Sequence, residues 1–310
     1  MKKILVTGAA GFLGSHLCDE LLSRGYNVVG IDNFFRGTPQ NLPTHPNFKF
    51  YEFNLVQTGC DIFKNENPDI VIHYAAINGT KYFYDIPFKV CDENIRMTQN
   101  ILNECSSIEN IKKIIYASSS EVYGPTPIVP TKETEPIILY PLSDRDSYAS
   151  SKSTGEFLVR LWAKENEKNY LILRPFNTYG SRMATKGYGQ VIPEFIERAL
   201  YEDKFTIVGD GKQTRSFCHV KDHSIIACNL MERVNNKTLN IGFDEETRIK
   251  DLAKILHEIL NKKFKPTYLD SWKNDTQWRK PDLGELRKYI KKYKFISLKE
   301  GLISLIPYYE

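Results

Sequence analysis

Apolar residues in this chain fall first into short blocks and helical stripes that alternate regularly. Residues 3–7 are an apolar run closed by glycines, which predicts a buried strand. Residues 15–23 set Leu17, Cys18, Leu21 and Leu22 at helical spacing, and Arg24-Gly25 stops that helix. Residues 27–31 are a second apolar block ending at Asp32, so the chain opens β-α-β. Further strands are predicted at 48–53, 70–73, 113–117 and 170–174, and helices at 95–105 and 148–165. The last helix carries Phe157, Leu158, Leu161 and Trp162 on one face. Strands alternating with helices predict an α/β fold, a doubly wound parallel sheet covered on both faces. After Gly180 the rhythm changes. A Gly/Lys-rich loop at 182–189 precedes an amphipathic helix at 191–201, a short strand at 205–208, the turn Gly209-Asp210-Gly211 and mixed segments. The expected division is a first domain over 1–180, rejoined by a strand at 238–242, and a smaller C-terminal lobe over 181–310.

Composition adds little beyond exclusions. The 310 residues are 41% hydrophobic and 26% charged, ordinary for a soluble globular protein. A net charge of +4 makes no case for nucleic acid, although a mild positive bias suits an anionic ligand. No apolar run approaches the length of a membrane helix. No leader-like stretch precedes the first strand. The six cysteines, Cys18, Cys60, Cys91, Cys105, Cys218 and Cys228, form no Cys-x-x-Cys and no metal-ligand spacing with histidine. They read as reduced thiols of a cytoplasmic protein without a metal.

The first candidate site is Gly8-Ala9-Ala10-Gly11-Phe12-Leu13-Gly14, between a strand and a helix. Gly8 allows a tight turn, Gly11 lets backbone approach a pyrophosphate, and Gly14 lets helix and strand pack closely. The helix N-terminus then offers free N–H groups and a positive dipole end to phosphates. Asp32 ends the second strand, where a carboxylate accepts hydrogen bonds from an adenosine ribose and repels a 2′-phosphate. This favours NAD over NADP, with nearby Arg36 as the residue that would tolerate the extra phosphate. The domain then reads as Rossmann-type.

The second candidate site is Tyr148-Ala149-Ser150-Ser151-Lys152. Tyr and Lys four apart project from one helix face. A lysine beside a phenol favours the phenolate, which can accept a sugar hydroxyl proton while a nicotinamide accepts the hydride.

Several motifs occur in one order: the glycine loop, Asp32-Asn33-Phe34-Phe35-Arg36-Gly37, His73-Tyr74-Ala75-Ala76, Ser118-Ser119-Ser120-Glu121-Val122-Tyr123-Gly124, Tyr148/Lys152, and Arg174 through Gly180. They continue through Gly209 to Phe217, Asn240-Ile241-Gly242 and Arg279-Lys280-Pro281-Asp282. Over nearly its whole length the chain resembles the extended short-chain dehydrogenase/reductase family of NAD-dependent nucleotide-sugar epimerases, dehydratases and decarboxylases. The resemblance implies a nucleotide-sugar substrate, a substrate-binding C-terminal lobe and a homodimer built on helices 95–105 and 148–165. Cofactor contacts would come from Gly8, Gly11, Phe12, Leu13, Gly14, Asp32, Asn33, Ala75, Tyr148 and Lys152. Tyr148 would take the proton of the sugar 4-hydroxyl. Lys152 would lower its pKa and bind the nicotinamide ribose, and Ser119 would hydrogen-bond the sugar oxygen and Tyr148.

Glu121 matches the dehydratases and decarboxylases rather than simple 4-epimerases. A ketone at C4 acidifies the C5 proton, and a nearby carboxylate can remove it as general base. Elimination at C6 then gives a 4-keto-6-deoxy sugar, whereas a C6 carboxylate makes a β-keto acid that loses carbon dioxide. A bland reading of Glu121 is a partner for a nearby donor. Ser120, where thymidine-linked glucose dehydratases carry Asp, counts against that subgroup. The Asp32–Gly37 loop, Arg145 and the Arg279 motif resemble the decarboxylases. The residues between Tyr148 and Lys152, and Ile77-Asn78-Gly79-Thr80, depart from them. Arg145, Asn177, Arg215 and Arg279 are the expected substrate-binding residues, since a pyrophosphate calls for fixed donors and forked guanidinium groups. Tyr82, Phe83 and Tyr84 fall at the expected sugar pocket, and His73 reads as packing beneath the cofactor. The leading expectation is a dehydratase or glucuronate-decarboxylase-like enzyme working through a 4-keto sugar. The alternatives are a 4-epimerase, a net dehydrogenase and a non-catalytic nucleotide sensor.

Overall fold

The described residues, 1–183, 190–270 and 277–310 of a computed structural model, follow that alternation. In chain order they form β1 (Lys3–Thr7), α1 (Phe12–Ser23), β2 (Asn27–Asp32), β3 (Phe48–Glu52), α2 (Ile62–Glu66), β4 (Ile70–His73), α3 (Thr80–Asp85), α4 (Pro87–Ser106), β5 (Lys113–Ala117), α5 (Ser147–Glu165) and β6 (Asn169–Pro175). Then come β7 (Thr178–Tyr179), α6 (Val191–Tyr201), β8 (Phe205–Val208), β9 (Thr214–Ser216), β10 (Cys218–His219), α7 (Val220–Arg233), β11 (Lys237–Ile241), β12 (Glu246–Arg248), α8 (Ile249–Ile259), β13 (Pro266–Leu269), α9 (Gly284–Arg287) and α10 (Leu298–Leu305).

Seven strands make one parallel sheet in the order β11-β6-β5-β4-β1-β2-β3. Its central strands are buried on both faces, which is why they read as unbroken apolar blocks. Ile4 and Val6 face one side, against Leu17 and Leu21 of α1 and Ile226 and Leu230 of α7. Leu5 faces the other, against Ile101 of α4 and Val159 and Trp162 of α5. A third cluster joins α6, α8 and α10 through Phe195, Leu252, Leu256 and Leu302. The strand order reverses beside β1, and ligands of such sheets bind in the crevice beyond the strands' C-terminal ends.

Three details differ from the sequence pattern. Helix α4 begins at Pro87, well before residue 95, because proline is pre-set for a first helical turn, and the exposed Phe88 lies off the helix's apolar face. Helix α3 was not anticipated. In α5, Trp162 is buried, but Phe157 and Leu161 are exposed, so the apolar face is split between core and surface. Of the expected loop 182–189, residues 184–189 lie outside the described residues.

A buried polar chain ties this frame together. Arg174, on β6, donates from Nε to Glu156 Oε1 at 2.8 Å and from Nη2 to Glu156 Oε2 at 2.7 Å. Glu156 lies on α5 and also accepts from Ser118 Oγ at the end of β5. Arg174 Nη1 reaches the Tyr123 hydroxyl at 2.8 Å, which donates to Asn240 Oδ1 at 2.7 Å. Asn240 Nδ2 in turn donates to the backbone oxygens of Thr131 and Asp282. Removing one member of a buried ion pair strands the other charge. Glu156→Gln is therefore expected to cost about 3–5 kcal/mol, read as a lower urea midpoint.

Candidate active site

The glycine loop is shaped by contacts only glycine tolerates. Gly8 has φ +73°, and a Cβ there would lie 2.8 Å from Ala75 N. A Cβ on Gly14 would fall 2.0 Å from Gly8 O. No side chain caps α1, which begins at Phe12, so its first-turn N–H groups face the cavity that Gly11, Phe12 and Leu13 line. Asp32 accepts from Ala10 N at 3.0 Å and from Phe34 N at 2.8 Å. Burial pushes its carboxyl up, and these N–H groups pull it back. Asn33 and Ala75 line the same cavity, about 820 Å³ in volume. Backbone donors, an uncapped helix and a strand-end carboxylate are what a dinucleotide requires.

Tyr148 and Lys152 lie on the buried face of α5 and open onto this cavity. The Tyr148 ring stacks on Phe83 at 4.9 Å, and Ser119 lines the same cavity. Burial raises the phenol pKa, the Glu121 charge raises it further, and Ser119 and Arg36 oppose them. Lys152 Nζ donates to Ala117 O at 2.7 Å and lies 5.8 Å from the Tyr148 ring centroid. Burial lowers its ammonium to about 7. The lysine was expected to make the phenol more acidic. Within the protein's own field, desolvation dominates both groups and moves each toward its neutral form.

Ser119 caps the short turn 120–123, accepting from Glu121 N at 3.2 Å, and so sets the direction of Glu121. The Glu121 carboxylate bonds the Arg279 guanidinium and pairs with Arg145 Nη1 at 3.1 Å. Burial pushes this carboxyl up. Arg279, Arg145 and Arg215 outweigh it and hold the carboxyl at about 2. A carboxylate so held is a weak proton acceptor, which bears on the general-base role expected for it.

The remaining candidates line the same cavity: Asn177, Arg215 and Arg279. Asn177 sits at φ +34°, and its buried Nδ2 has no protein partner among the described residues. Gln190 Oε1 is likewise buried without one. Phe83 and Tyr84 line the cavity, whereas Tyr82 packs on Phe35. His73 is enclosed between the Thr7 and Thr98 hydroxyls, as a packing residue would be.

A family model described as the NAD dependent epimerase/dehydratase family matches residues 4–242. The chain belongs to this family. It is 34% identical to a UDP-N-acetyl-alpha-D-glucosaminuronate decarboxylase of Bacillus cytotoxicus over 99% of this chain and 98% of that one. A UDP-glucose 4-epimerase of Thermotoga maritima superposes with a TM-score of 0.91 at 32% identity, covering 99% and 98% of the two chains. A UDP-glucuronic acid 4-epimerase of Bacillus cereus, in complex with UDP-glucuronic acid and NAD, gives 0.87 at 32%, again over 99% and 98%.

Within the epimerase/dehydratase frame, two features escaped the sequence. Glu156 carries no assignment in the sequence, and only the tertiary fold brings Arg174 and Ser118 to it. Arg36, read as the residue that would tolerate a 2′-phosphate, donates to the Asn78 carbonyl. A backbone acceptor leaves no signal in sequence.

Because Glu121 is depressed in the folded state, its stabilising contribution is present above its ordinary value of 4.5 and is lost as pH falls toward about 2. Arg279→Met removes one guanidinium. The urea-midpoint gap between wild type and this variant should be widest near neutrality and shrink as pH drops below 4.5.

Proposed function

We propose that this protein is an NAD-dependent nucleotide-sugar decarboxylase, converting a UDP-linked uronic acid through a 4-keto intermediate. The observation that carries the choice is the pair Arg145 and Arg279 converging on Glu121 in the cavity that Tyr148 lines. A dehydratase needs a base for the C5 proton, and a carboxylate held near 2 serves poorly. Decarboxylation needs no such base, and paired guanidinium groups suit a substrate carboxylate. The decarboxylase of B. cytotoxicus supports the same choice.

Bound NAD supplies the hydride acceptor at sugar C4 and returns the hydride afterwards, with no net redox change. Gly8, Gly11, Phe12, Leu13, Gly14, Asp32, Asn33 and Ala75 would hold it, with Lys152 at its ribose. Tyr148 would accept the 4-hydroxyl proton as a phenolate, the form that the positive nicotinamide of bound NAD would favour beside it. In the β-keto acid the C5–C6 bond breaks, carbon dioxide leaves, and the electron pair passes into an enolate on the C4 oxygen. Ser119 and Tyr148 would donate to that oxygen. C5 would then take a proton from solvent, and the restored ketone would be reduced, with Tyr148 returning its proton to the C4 oxygen. Asn177, Arg215 and Arg279 would hold the diphosphate, and Arg145 would share the C6 carboxylate with Arg279.

A 4-epimerase is the second reading, favoured by the superposition on two 4-epimerases that would share the first step. The exposed Phe157 and Leu161 on α5, which packs along α4, support a homodimer. Free cysteines and no helix among the described residues long and apolar enough to cross a membrane accord with a cytoplasmic enzyme.

Incubation with UDP-glucuronate, UDP-N-acetylglucosaminuronate and UDP-glucose, followed by product mass, tests the proposal. Loss of carbon dioxide from a uronate is expected. Unchanged mass with inverted C4 makes the enzyme an epimerase, and loss of water from UDP-glucose makes it a dehydratase. Protein that carries NAD and converts none of the three would sink the proposal.

A further inference from the structure

We infer that Phe35, Arg36 and Asn78 form a strap across the dinucleotide groove that retains NAD(H) between the two hydride transfers. This rests on the recycling reading above. In the sheet, β1 lies between β2 and β4. Residues 33–37 leave the C-terminal end of β2, residues 74–79 leave that of β4, and both segments line one cavity with the glycine loop. The Arg36 guanidinium donates to Asn78 O, joining positions 42 apart. Since β1 lies between its two anchors, the contact passes over the end of β1, where Gly8–Gly14 opens toward the phosphates.

Phe35 provides a second tie. Its ring packs on Tyr82 of α3 at 5.4 Å, and Lys89 Nζ of α4 lies 5.0 Å from the ring centroid. At 38% exposed, Phe35 belongs to no core cluster and serves as an outer cover. The root of the strap is fastened to the glycine loop itself. A Cβ on Gly37 would fall 2.6 Å from Ala10 C, and Asn41 Nδ2 donates to Ala10 O at 2.9 Å. An enzyme that returns a hydride to the sugar it came from fails if the reduced cofactor escapes in mid-cycle. A closure tied on both sides of the groove lowers that escape rate without touching the chemistry.

The test is the release rate of bound NADH, followed as loss of its fluorescence on chasing the loaded protein with excess NAD. Arg36→Met and Phe35→Ala are each expected to release NADH about tenfold faster than wild type, the worth of one charge-assisted bond or aromatic contact. Arg36→Lys, which keeps a cationic donor for Asn78 O, should stay close to wild type. Thermal midpoints of all variants are read alongside, with Phe35→Leu replacing Phe35→Ala should the latter not fold. Faster release in Arg36→Met alone would make Arg36 a direct cofactor ligand and overturn the strap. Unchanged release in both variants overturns it as well. A wild type that binds no NADH overturns the recycling reading together with it.

Discussion

The site depends on Arg279 being delivered to Glu121 from 158 residues away. Arg279 itself lies in no helix or strand. What fixes Arg279 is the backbone that follows it, where Thr131 N donates to Lys280 O at 2.9 Å and Asp282 N to Thr131 O at 2.8 Å. Asn240 holds both strands of that pairing and is itself held by Tyr123, Arg174 and Glu156. A buried ion pair of this kind contributes little net stability, because desolvation offsets most of its attraction. Its consequence is positional. The pair keeps α5, which carries Tyr148 and Lys152, in register with β5, which leads to Ser119 and Glu121.

Glu121 and its arginines act as one electrostatic unit. Alone, a buried carboxylate beside Tyr148 would oppose the phenolate, and its charge does raise that phenol. Arg145 and Arg279 bond it, and Arg215 adds charge from β9, so cationic groups outnumber the single anion. A substrate carboxylate entering here would meet guanidinium groups already fixed in direction, which lowers the cost of organising them. It would also compete with Glu121 for them, and Glu121 would then bind its arginines less strongly.

Much of this could be read from the chain, for identifiable reasons. Parallel strands are covered on both faces and must be apolar throughout, so β1, β4 and β5 stand out as blocks. Gly8 and Gly14 stand out because no side chain fits where they are. Tyr148 and Lys152 stand out because helical spacing alone puts them on one face. The rest depends on long-range geometry. Helix α3 is too short and aromatic to show a period, and the two-residue strands β7 and β10 exist only through their pairing with each other. The exposure of Phe157 and Leu161 and the burial of Glu156 reverse what residue type alone implies.

Charge shows most clearly why the local arrangement outweighs the total. A net +4 over 310 residues carries almost no information about a ligand. The cavity gathers Arg36, Arg145, Arg215 and Arg279 along its walls. Its acids are already committed: Asp32 to backbone N–H groups, Glu93 to Lys89 at 3.8 Å, Glu121 to arginines, and Glu194 to Arg198 at 3.2 Å. The surplus that faces the interior is therefore cationic and held in low dielectric, where each charge acts over a longer range than on the surface. Two diphosphates and a carboxylate are strongly anionic, and they would bring this cavity close to neutrality. A hexose with a C6 hydroxyl would leave the Arg145 and Arg279 pair to Glu121 alone, so on the proposed reading this charge arrangement would favour a uronate over a neutral sugar, with the diphosphate attracted in both cases.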